Sequence, residues 1–110
     1  MANFGRLDQA VRTFGNRYAR RMILRRSFGD SHPVLQVENN LVEMARSQLQ
    51  EVILATLPNI PETTRGELVR SLRRAASERI LASEEDEEVK EDMLTDVENE
   101  DFADLFHSLH

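Results

Sequence analysis

Apolar positions recur with a helical period along most of this chain. Between Ser31 and Leu57, Val34, Val37, Leu41, Val42, Met44, Ala45, Leu49, Val52, Ile53 and Ala55 gather on one half of a helical wheel. Gln36, Asn39, Asn40, Glu43, Arg46, Ser47, Gln50 and Glu51 fill the other half, and only Glu38 and Gln48 intrude on the apolar side. A stripe that wide has to be covered on two sides, so residues 31–57 are the expected centre of the fold.

Upstream, Phe4, Leu7, Val11, Phe14 and Tyr18 step by three and four, with Met22 one turn later. A narrow stripe of this kind pairs with another helix, so residues 3–27 are predicted to form a helix that docks or oligomerises through these positions. Gly5 and Gly15 weaken it, each by about 1 kcal/mol relative to Ala. Phe28-Gly29-Asp30 predicts a turn, Asp30 or Ser31 a cap for the next helix, and Pro33 its first turn. Pro58 stops that helix at Leu57, and the connector to Pro61 is short enough to require a helical hairpin. Thr64 and Glu67 fit a capping box ahead of Leu68, Leu72, Ala75, Ala76 and Ile80. A third helix over 63–82 follows, with Arg70, Arg73 and Arg74 facing outward.

At Ser83 the composition shifts abruptly to EEDEEVKED, which reads as a solvated linker because so many like charges resist compaction. Val89, Met93 and Val97 nevertheless keep a four-residue spacing that a helix could use if a basic surface neutralised it. Phe102, Leu105, Phe106 and Leu109 then predict a short amphipathic terminal helix. The segment DFADLFHSL resembles acidic amphipathic docking motifs, such as those with which transactivation segments enter a partner's groove. The resemblance implies that these four side chains dock a partner. The same spacing also suits a last helix that closes the protein's own core or that of a neighbouring copy.

With 110 residues, five Phe, one Tyr and no Trp, the chain is expected to build one aliphatic core. The expected organisation is an all-α domain over residues 1–82 and an acidic arm over 83–110. The absence of cysteine excludes a disulfide framework and a thiolate zinc site. No apolar run approaches the roughly 18 residues of a membrane span, and no uninterrupted apolar block marks a secretory signal. The net charge of −6 conceals a dipole: residues 1–30 carry seven Arg against Asp8 and Asp30, while residues 83–110 carry twelve acids against Lys90.

The basic head contains the densest candidate binding cluster, Arg17, Arg20, Arg21, Arg25 and Arg26. It is expected to meet either nucleic-acid phosphates or an acidic protein surface. No helix-turn-helix spacing, zinc-finger pattern or stacking-aromatic strand accompanies it, which favours the protein surface. Asp104, His107 and His110 have ligand types at helical spacing, but frayed chain ends make poor metal sites, so no metal and no cofactor are expected. His32 is assigned a structural role beside the helix cap. No phosphate-binding, zinc-protease or nucleophile-elbow motif occurs, so the chain is read as non-enzymatic.

The leading expectation is therefore a small assembly protein, an adaptor or structural subunit that forms a homo-oligomer or larger assembly through its apolar helix faces. A cytoplasmic setting or an intracellular virus or phage particle suits it, and the Arg-rich residues 1–28 look somewhat like a mitochondrial presequence. Two alternatives compete with it. One is a nucleic-acid-binding regulator inhibited by its own acidic tail; the other is an acidic phosphate mimic that blocks a nucleic-acid enzyme.

Overall fold

A computed structural model describes residues 3–57 and 60–107, with side chains from Gly5 onward. Among these residues the chain is all-α and has no strand: α1 (Asn3–Phe28), α2 (Pro33–Thr56), α3 (Glu62–Leu81), α4 (Glu87–Asn99) and α5 (Ala103–His107). The connector residues Pro58 and Asn59, together with Leu109 and His110, lie outside the described residues.

Helix ends follow local chemistry, though at two of them not from the expected residues. Gly29 closes α1 with φ 83° while its N–H donates to the Arg25 carbonyl at 2.8 Å, the left-handed cap that a side chain with Cβ disfavours. His32, rather than Asp30 or Ser31, caps α2: its Nδ1 accepts from the Val34 N–H at 3.1 Å, and its ring lies 4.7 Å from that of Phe28. Pro33 then occupies the first turn, where its missing N–H costs nothing. The Thr64–Glu67 capping box does not form, because α3 begins earlier, at Glu62, with Pro61 as its cap residue.

The helix in the middle is α1, not α2. It packs along both α2 and α3, whereas the backbones of α2 and α3 approach each other much less closely than each approaches α1. Leu7, Val11 and Phe14 of the predicted α1 stripe are buried in a core shared with Val42, Leu49, Val52 and Ile53 of α2 and Leu68, Val69 and Leu72 of α3. Tyr18 is only partly buried at its edge, and the Phe4 side chain falls outside the described ones.

Gly15 explains why α1 and α3 come so close. A Cβ built on it would sit 2.7 Å from the Ala75 Cβ, 3.0 Å from the Leu72 carbonyl oxygen and 3.2 Å from the Ala76 nitrogen. Ala19 and Ala76, both fully buried, continue the same tight crossing. The residue that looks like a weakness in an isolated helix is thus the contact point of two helices.

The acidic arm does not stand apart from residues 1–82. Met93 and Val97 of α4 are fully buried in a second core with Ala19 and Ile23 of α1 and Ala76 and Ile80 of α3. The chain then turns at Phe102, which adopts φ 52° although it is not glycine. That conformation costs about 1–2 kcal/mol. It is held because the Phe102 ring packs edge-on against Phe14 at 5.9 Å and Tyr18 at 5.3 Å.

Candidate interaction surface

Three sets of residues carried functional expectations, and the structure distributes them differently. Phe102, Leu105 and Phe106, expected to dock a partner, are 5%, 2% and 1% exposed and belong to the main core. They close this protein's own interior and are not available to a partner's groove in this conformation; Leu109 lies outside the described residues. Several polar contacts fasten the α4–α5 corner. Arg73 donates from Nε to the Glu100 carbonyl at 2.9 Å, Gln50 donates to the Leu105 carbonyl at 3.1 Å, and the Arg65 guanidinium lies 4.8 Å from the Phe106 ring centre. Arg73 was expected to face outward. Its inward turn was not legible in sequence, because its acceptor is a backbone carbonyl 27 residues away.

The N-terminal arginines are largely engaged within the chain. Arg20 Nε donates to Glu38 Oε1 at 3.0 Å, Arg21 donates to Asn39 Oδ1 at 3.4 Å, and Arg25 pairs with Asp30 at 2.8 Å. Arg26 reaches Asp92 and Asp96 of α4 at 4.0 Å, so the basic head meets the acidic arm of its own chain. Arg17 makes no hydrogen bond or ion pair among the described residues.

Glu38 is the one charged residue buried among the described ones, its side chain 3% exposed, and its Oε2 has no hydrogen-bond partner. Its intrusion on the apolar half of α2 is thereby explained: it faces Arg20 across the α1–α2 seam. Removing one partner of such a pair strands the other charge. Arg20→Met is therefore expected to lower unfolding free energy by about 2 kcal/mol, less than for a fully enclosed pair because Arg20 is half exposed. Arg20→Met/Glu38→Leu should recover most of that loss in urea titrations. No recovery would mean that the pair orders the seam by more than its charge.

A small cleft of about 110 Å³ lies under the α4–α5 corner, lined by Tyr18, Arg21, Arg46, Glu100 and Asp104 over Phe14 and Phe102. It is well below the roughly 300 Å³ at which pockets begin to enclose small-molecule ligands. Tyr18 approaches Glu100 Oε2 there at 3.5 Å. Burial, aided by the Glu100 charge, pushes the Tyr18 hydroxyl up from 10.0 to about 12, with Arg21 pulling the other way.

The folded chain therefore keeps a phenol proton that the unfolded chain releases above pH 10.0; this stabilisation is complete below that value and is lost as pH rises toward about 12. Tyr18 is the only tyrosine and there is no tryptophan, so phenolate absorbance reports this group alone. The folded protein should titrate near pH 12 and the denatured protein near 10.0, and Tyr18→Phe should flatten the loss of stability between them. A folded-state midpoint at 10.0 would show the corner open to water.

Besides Phe28, Leu54 and Leu81, the outer edge of α2 is uncovered. Because α1 and the short α5 are its close neighbours while α3 stands further off, part of the wide stripe faces outward. Val37 is 57% exposed and Met44 68%, with Leu41 half-buried between them. Leu41 and Met44, with Thr13 and Arg17 of α1 and Gln48 and Glu51 of α2, line an open trough of about 580 Å³. Among the described residues no cluster of His, Cys, Asp or Glu could hold a metal ion, and no helix is long and apolar enough to cross a membrane. Comparison with protein-family models, curated proteins and solved structures finds no match to this chain, so any assignment of function rests on the surfaces described above.

Proposed function

We propose that this chain is a non-enzymatic interaction protein that binds another protein helix along the outer edge of α2. The observation that carries this reading is the row Val37, Leu41 and Met44, an apolar ridge that five helices of the same chain leave in water. A helix laid along the α1–α2 seam would bury the ridge in the way a two-sided helix is normally covered. The terminal segment takes a different part from the one its spacing implies: it stiffens the scaffold that presents α2.

Immobilised full-length protein should retain a binding partner from its native source, and Val37→Glu/Met44→Glu should lose it with an unchanged helical circular dichroism spectrum. Retention by the double variant equal to that of the wild type would remove the α2 edge as the binding surface.

A further inference from the structure

The unpaired charges beside the ridge point to what covers it. On the α1 side stand Arg6 and Arg17, and on the opposite side of Met44 stands Glu51; none of the three makes an ion pair or hydrogen bond among the described residues. Opposite signs therefore flank a common apolar row. The register of α1 against α2 sets the height of each charge along the ridge. The short turn between Phe28 and Pro33, with Arg20 against Glu38 near it and Arg6 beside Gln48 and Val52 far from it, sets the two helices antiparallel. Arg17 is then level with the Val42–Glu43 turn, and Arg6 shares a groove with Gln48 and Val52, within a turn of Glu51.

We infer, building on the interaction reading above, that the occupant of this edge is a second copy of the chain, packed with the two α2 helices parallel about a two-fold axis running along them. The direction follows from the charges. When two identical faces meet about an axis parallel to their ridges, each basic flank lies over the partner's acidic flank. About an axis perpendicular to the ridges, basic flank meets basic flank and Glu51 meets like charge. The parallel arrangement therefore sets Arg6 against the partner's Glu51 twice over; Glu43, level with Arg17, is already paired with Arg46 of its own chain. Val37, Leu41 and Met44 then pack on their own counterparts.

The chain has no cysteine, so single substitutions can read this geometry in the full-length protein. Val37 and Ala55 are both exposed and lie on the same line of α2, five full turns and about 27 Å apart. Under mild oxidation Val37→Cys alone and Ala55→Cys alone should each give a disulfide-linked dimer. If neither variant links to itself but an equal mixture of the two does, the pair is antiparallel and the inference is overturned. Light scattering should give twice the chain mass, with Arg6→Glu weakening association by roughly tenfold and Arg6→Glu/Glu51→Arg restoring it. A sample that stays monomeric and does not cross-link excludes the second copy. If that monomer still retains a partner that Val37→Glu/Met44→Glu loses, the interaction reading survives; if it retains none, both fall.

Discussion

Phe106→Ala is expected to lower the unfolding free energy by about 4 kcal/mol, a large share of the 5–15 kcal/mol typical of a domain. Its ring is 1% exposed, lies in the core that joins α1, α2, α3 and α5, and carries the Arg65 guanidinium on one face. Truncation removes that apolar area from the interior and leaves a cavity that the short α5 cannot close by shifting. For a chain near this length the thermal midpoint should fall by roughly 20 °C. Phe28→Ala is the matched control: Phe28 is 51% exposed, so its loss should cost less than about 1 kcal/mol. If Phe106→Ala leaves the midpoint unchanged, the terminal segment is not packed inside, and its role as a free docking motif becomes the better account.

Gly15→Ala should destabilise the protein by about 2 kcal/mol, the reverse of what helix propensity alone predicts. An alanine would favour an isolated α1 by about 1 kcal/mol. In the folded protein its Cβ would stand 2.7 Å from the Ala75 Cβ, and α1 and α3 would have to move apart along a seam that also contains Ala19 and Ala76. Ala75→Gly in the same chain should return only part of the loss, because the Leu72 carbonyl oxygen, 3.0 Å away, is backbone and cannot be trimmed. Calorimetry of the single and double variants decides the matter. A more stable Gly15→Ala protein would mean that the two helices are already further apart than described.

Both expectations concern contacts between residues distant in sequence, and the same division runs through the molecule. The positions of α1, α2 and α3 were legible because a 3.6-residue period, a left-handed Gly29 and the prolines at 33, 58 and 61 act within a few residues of themselves. The spacing of Val89, Met93 and Val97 allowed a helix only if a basic surface neutralised it, and the twelve acids of residues 83–110 argued for a solvated linker where α4 forms. That argument weighs repulsion in an isolated segment. In the fold, burial of Met93 and Val97 against Ala19, Ile23, Ala76 and Ile80, with Arg26 near Asp92 and Asp96, outweighs it. The α2 ridge was partly visible too: its apolar half is wider than a hairpin and one helix can cover, and the exposed Val37 and Met44 are what is left over.

The amino-acid sequence by itself determined that α1, α2 and α3 are helical, which face of each is apolar, and where the charge is concentrated, since all three depend on neighbours within one or two turns. Only the tertiary structure decided that α1 rather than α2 lies in the middle. It also decided that Gly15 is a contact and not a flaw, that Glu38 is answered by Arg20, and that Phe102, Leu105 and Phe106 turn inward. The reason is geometric: periodicity states how much apolar surface a helix carries, whereas the helix that covers it is chosen by how closely two backbones can approach, a property of pairs of residues far apart in the chain.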